Sequence, residues 1–222
     1  MFSKTDNINL CNHCANHGSC DLGAGFFEGI GQNISITEKG QNLFNKGDSF
    51  SGFFVVCEGI VRAKTITNNN VSIDFYYPGD VVGLCGMSDG TYQESVTFIN
   101  NGRVFEITKQ DVETAIQTYP EFATKMLKIL SRTLVKKQKK NQINTLEAEA
   151  RLLQFLKEQS RRHQSKAKNH GFTLQMTRSD IASHLGIAGE TLSRLMRKLA
   201  LKGLIAFNNK DVALLNNDGL LL

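Results

Sequence analysis

Three cysteines near the start of the chain, Cys11, Cys14 and Cys20 in CNHCANHGSC, have the spacing C-x2-C-x5-C. Short spacers of this kind let three thiolates converge on one metal ion or cluster. His13 and His17 lie in the same run, so a zinc site of three cysteines and one histidine is an alternative reading. A thioredoxin-like use of Cys11 and Cys14 has less support, because no βαβ pattern surrounds them. The chain has five cysteines in all, the other two being Cys57 and Cys85. An odd number, in a chain whose polar start MFSKTDNINL does not read as a signal peptide, favours metal or redox chemistry in a reducing, cytoplasmic compartment. No apolar run approaches the ~20 residues that a membrane-spanning helix needs.

A second chemistry lies at the other end, in TRSDIASHLGIAGETLSRLMRKLALKGLI, residues 177 to 205. Glu190, Ser193 and Arg194 are spaced i, i+3, i+4 and so share one helical face. An arginine can fork onto the O6 and N7 acceptors of guanine, a glutamate can accept from the N4 amino group of cytosine, and a serine can meet a thymine edge. Thr177, Arg178 and Arg197 are expected on backbone phosphates. The elements that must hold this row are legible around it. Thr177 can cap a first helix that buries Ile181 and Leu185, with small Ala182 where a second helix approaches. Gly186 supplies the turn and Ile187 plugs the angle. The second helix starts near Gly189 and buries Leu192, Leu195, Met196 and Leu199. An amphipathic hairpin with a solvated face is the plainer alternative, but small, glycine and apolar residues all fall where a helix-turn-helix needs them.

Charge divides the chain in the same sense. Residues 1 to 118 hold seven Lys and Arg against thirteen Asp and Glu, whereas residues 119 to 222 hold nineteen against eight. A polyanionic partner is therefore expected for the back half alone. At 222 residues and 41% hydrophobic content the chain can form one large or two modest cores. Between about residues 30 and 108, β-branched and aromatic runs such as SGFFVVCEGIVRAKTIT alternate with Gly, Asn, Asp and Pro, the pattern of an antiparallel roll or barrel. After Pro120 the period becomes helical, with Phe122, Met126, Ile129, Leu130, Thr133 and Leu134 in a stripe that runs into lysines. The helix LEAEARLLQFLKEQSRR and the polar link HQSKAKNHGF then lead to the helix-turn-helix.

An acidic roll, a long helix and a basic winged helix-turn-helix together resemble the Crp/Fnr family of bacterial transcription regulators. The resemblance covers essentially the whole chain. It implies an α+β protein: a cysteine-bearing segment over 1–25, an antiparallel β-roll of the cyclic-nucleotide-binding jelly-roll type over 26–118, a dimerisation helix over 119–145 and a winged helix-turn-helix over 146–222. It also implies a homodimer, a palindromic DNA site, contact with RNA polymerase and no enzymatic activity. Met126, Ile129, Leu130 and Thr133 would then pair two long helices, with Lys137 and Lys140 further along the same seam; packing of the stripe on the chain's own roll is the alternative. Two recognition helices would sit about 34 Å apart, one turn of DNA.

Nucleotide-binding members of this family carry a Gly-Glu-Leu motif for the ribose and an Arg-Ser pair for the phosphate. Here the corresponding run is GDVVGLCGMSDGTYQES, with Glu94 and Ser95 where the pair would fall, so no cyclic nucleotide is expected. The triad Cys11, Cys14 and Cys20 instead resembles that of the FNR branch, oxygen sensors that hold a four-iron four-sulfur cluster. In that branch the fourth cysteine aligns with Phe105 of this chain. Cys85 is the expected substitute, Cys57 reading as strand packing, and a non-cysteine ligand is a further possibility. FNR-type proteins share the Glu-x-x-Ser-Arg arrangement, which implies the half-site TTGAT in TTGAT-NNNN-ATCAA. Two other functions stay open: a regulator of the same fold that senses through zinc, haem or thiol redox, and a zinc or thiol oxidoreductase tethered to a DNA-binding module.

Overall fold

The computed structural model describes residues 33–68, 70–163 and 171–215, so Cys11, Cys14 and Cys20 lie outside the described residues. The chain forms two compact units that divide after Lys136. The first is the expected roll, two four-stranded antiparallel sheets ordered β1-β8-β3-β6 and β2-β7-β4-β5. Its strands are β1 (Asn33–Thr37), β2 (Asn42–Phe44), β3 (Gly52–Glu58), β4 (Val61–Thr67), β5 (Asn70–Tyr76), β6 (Val81–Val82), β7 (Ser95–Phe98) and β8 (Gly102–Thr108). One short helix, α1 (Gly86–Asp89), interrupts them.

Strand alternation builds two cores from one sheet. From β3, Phe54 and Val56 enter the roll interior with Val61, Val96, Phe98 and Val104. Phe53 and Val55 point to the opposite face, where Phe105 and Ile107 join them. That outer face needs a cover, and two helices provide it. α2 (Lys109–Thr118) opens with a capping box in which the Thr108 hydroxyl accepts from the Asp111 amide and the Asp111 carboxylate accepts from the Thr108 amide. α3 (Pro120–Asn144) has Pro at its first position, where a missing N–H costs nothing. Val112, Ala115, Phe122, Met126 and Ile129 close over the sheet.

The stripe of α3 therefore splits in two. Met126 and Ile129, expected at a dimer seam, are 8% and 6% exposed and belong to the core under the roll. Thr133 is half-buried and its hydroxyl donates to the Ile129 carbonyl. Leu127, Leu130 and Leu134 are 67%, 40% and 64% exposed on a neighbouring row. The reason is geometric: apolar residues at 122, 126 and 129 and at 127, 130 and 134 form two adjacent stripes, and the roll covers only the first. Heptad continuation of the exposed row reaches Lys137 and passes one position from Lys140.

The second unit contains α4 (Ala148–His163), β9 (Gly171–Thr173), α5 (Arg178–Leu185), α6 (Gly189–Leu201), β10 (Ile205–Asn208) and β11 (Asp211–Leu214). Its three strands form one antiparallel sheet ordered β10-β11-β9. Leu152, Leu156, Ile181, Leu192, Met196 and Leu199 are almost fully buried where the three helices meet. No helix among the described residues is long and apolar enough to cross a membrane.

Candidate nucleic-acid interface and cysteine positions

The helix-turn-helix forms as its residues require. Thr177, extended at φ −76°, caps α5 by accepting from the Asp180 amide at 3.1 Å. Gly186 ends α5 at φ +64°, a left-handed conformation that favours glycine, and the Ile187 amide then donates to the Ala182 carbonyl. α6 is strongly amphipathic, burying Leu192, Leu195, Met196 and Leu199. Glu190, Ser193, Arg194 and Arg197 are all exposed on its opposite side. The Ser193 hydroxyl also reaches back to the Gly189 carbonyl at 3.1 Å, one turn earlier on the same helix.

The rear of α6 is braced by charge. Glu149 of α4 binds the Lys198 ammonium at 2.6 Å and also pairs with Lys202. These two lysines hold the Glu149 carboxyl below the ordinary carboxylate range. Lys198 and Lys202 are thereby engaged on the flank of α6, while Arg194 and Arg197 stay on its exposed row.

Arg178, expected on a phosphate, has another partner. Its guanidinium lies 5.6 Å from the centre of the Phe207 ring and donates to the Asn209 carbonyl at 2.6 Å. Burial draws its pKa below the usual arginine value. Asn209, with Lys210, forms the turn between β10 and β11, and its φ of +53° is the left-handed conformation that asparagine tolerates. This wing contact had no periodic signal in the sequence; only the asparagine pair before Lys210 marks the turn.

Two cysteines fall among the described residues. Cys85 precedes α1 without capping it, and its thiol lies 3.9 Å from a Glu94 carboxylate oxygen. The surroundings are acidic. Tyr76 is pushed above the ordinary tyrosine range, first by burial, then by the charges of Glu94, Asp74 and Asp80, with Cys85 adding to them. Cys57 sits at the bulge between Val56 and Glu58, packed on the outer core that contains Phe105. Val55, two residues before it, pairs directly with Phe105. The described residues contain no group of three or more His, Cys, Asp or Glu arranged to hold a metal ion.

A roll, a long helix and a winged helix-turn-helix with an exposed polar row define a DNA-binding regulator of two-domain type. Residues 36–119 match the cyclic nucleotide-binding domain and residues 150–221 the Crp-like helix-turn-helix domain. The transcriptional activator protein FnrA of Stutzerimonas stutzeri is 29% identical over 187 residues, covering 82% of this chain and 77% of that protein. The fumarate and nitrate reduction regulatory protein of Escherichia coli K12 is 29% identical over 193 residues, covering 82% and 75%. FixK2 from Bradyrhizobium japonicum superimposes with a TM-score of 0.73 at 23% identity, over 84% of this chain and 94% of that structure. The chain belongs to the Crp/Fnr family.

Proposed function

We propose that this protein is a cytoplasmic, non-enzymatic transcription regulator of the FNR type, which binds a TTGAT-NNNN-ATCAA palindrome as a homodimer and works with RNA polymerase. The observation that carries the reading is the exposed row Glu190, Ser193, Arg194 on a helix otherwise committed to the core. Arg194 reads guanine, Glu190 cytosine and Ser193 thymine, while Thr177 and Arg197 meet phosphates. Leu127, Leu130 and Leu134 supply the dimer seam, and Lys137 brings like charges toward the two-fold axis. That opposition keeps the monomer–dimer equilibrium near balance, where a modest differential contact decides it.

The signal is oxygen or redox state, received through Cys11, Cys14 and Cys20 as ligands of an iron–sulfur cluster. When bound, such a group supplies an oxygen-labile centre whose integrity biases the dimer. Thiolates fit this role by their chemistry, and the roll contributes the fourth ligand. Cys85 is that ligand in this reading, because it lies on a loop, although the Glu94 carboxylate beside it opposes the thiolate. Cys57 is the second reading: it packs on the same core as Phe105, where FNR-type proteins carry their fourth cysteine. A cyclic nucleotide is disfavoured, since Glu94 stands where the arginine of the phosphate-binding Arg-Ser pair would fall and sets a carboxylate against a phosphate.

Anaerobic purification tests the sensor. Brown protein with iron, acid-labile sulfide and broad visible absorption that bleaches in air supports it. A Soret band, or colourless protein holding zinc, replaces it with the haem or zinc alternative.

A further inference from the structure

We propose that Arg178 is a positioning residue that clamps the tip of the wing, so that Lys210 rather than Arg178 meets the DNA backbone. The inference rests on the reading of this unit as a DNA-binding domain and assigns a role within it. Arg178 is the first residue of α5, directly after the Thr177 cap, so its backbone is fixed by the helix. From there its guanidinium does two things at once. It lies over the Phe207 ring of β10, 5.6 Å from the ring centre, and it donates to the Asn209 carbonyl at 2.6 Å. A planar cation suits both contacts: its face can stack while its edge donates.

The other side of the wing is held as well. The Lys210 carbonyl accepts from the Leu174 amide at 2.8 Å, and the Asp211 carboxylate accepts from the Thr173 hydroxyl at 2.5 Å. The turn is thus gripped between β9 and the start of α5, and the exposed Lys210 side chain stands at its tip. An arginine whose guanidinium is half-buried and already donating to a carbonyl would have to leave both partners to reach a phosphate. Lys210 gives up nothing comparable. The clamp fixes the distance between the wing tip and the helix-turn-helix, which is what lets one cation on a two-residue turn find the same phosphate each time.

The test uses the full chain with R178Q, K210A, the double variant and R178K. Each is titrated onto the palindromic duplex and a scrambled duplex at several salt concentrations. K210A is expected to weaken both duplexes by one common factor and to flatten the slope of log K against log salt by about 0.9 per lost phosphate contact. R178Q should reproduce that loss and that flattening, and the double variant should add nothing. In the DNA-free protein, amide exchange across residues 205–214 should accelerate in R178Q, and R178K, which keeps the charge without the planar face, should restore neither exchange nor binding. Additive losses in the double variant, rescue of binding by R178K, or parent-like exchange in R178Q would each overturn the clamp. Should the parent itself bind neither duplex, the DNA-binding reading fails, while the exchange measurement still decides whether Arg178 holds the wing.

Discussion

Truncating Leu134 and Met126, two residues of the same helix, should have opposite consequences. Leu134 is 64% exposed and Met126 8% exposed, although both belong to one apolar run in the sequence. Fully burying a leucine stabilises by about 1.5–3 kcal/mol. With some two-thirds of Leu134 still accessible in the single chain, pairing of two helices would recover about 1–2 kcal/mol per protomer. Two-fold symmetry doubles this, so Leu134→Ala should weaken the dimer by roughly 2–4 kcal/mol, or about thirty- to several-hundredfold in Kd. It should leave the stability of the monomer unchanged. Met126→Ala instead opens a hole between α3 and the outer face of the roll and should cost about 2–5 kcal/mol of roll stability, with little effect on pairing. Sedimentation equilibrium measures the first effect. Urea melts at a concentration where every variant is monomeric measure the second. Dissociation of the dimer by Met126→Ala at unchanged monomer stability, or an unchanged equilibrium in Leu134→Ala, would refute the division of the stripe.

Arg194→Ala should cost about 1–3 kcal/mol at a TTGAT half-site and flatten discrimination at the guanine, whereas Arg197→Ala should weaken specific and random duplexes alike; competition titrations separate the two. Serine substitution at Cys11, Cys14, Cys20 and Cys85 should each lower anaerobic iron and sulfide content and abolish the visible spectrum. A full spectrum in Cys85→Ser together with its loss in Cys57→Ser would transfer the fourth ligand to β3. Glu149 has its folded pKa lowered by Lys198 and Lys202, so its contribution to stability is complete above the unfolded value near ~4.3 and is lost as pH falls through the lower folded value. Glu149→Gln should therefore reduce stability at neutral pH and blunt the acid-induced loss below about pH 4, read as Tm against pH.

The roll and the helix-turn-helix were legible because their residues obey local rules. Phe54 and Val56 alternate with Phe53 and Val55, Thr177 caps, Gly186 turns, and Leu192 to Leu199 repeat at helical spacing. Periodicity along α3 revealed that an apolar face exists but not what covers it, since Met126 and Leu130 look alike until the roll is in position. β9 carries no strand signal of its own, because Phe172 is the only buried residue of a three-residue strand at the end of a polar stretch. β2 and β6 are too short to alternate. Arg178 reads as a phosphate ligand because a basic residue beside a helix cap suits that role; its contacts with Phe207 and Asn209 join residues some thirty positions apart in sequence. Cross-strand and wing contacts of this kind leave no local period to read.

The affinity of the anaerobically purified protein for a duplex containing TTGAT-NNNN-ATCAA, compared with a duplex of scrambled half-sites at the same salt concentration, tests the central claim most directly. Recognition through Glu190, Ser193 and Arg194 predicts binding tighter by about a thousandfold or more at the palindrome, with most of that preference lost in Arg194→Ala. Equal affinity for the two duplexes would contradict it.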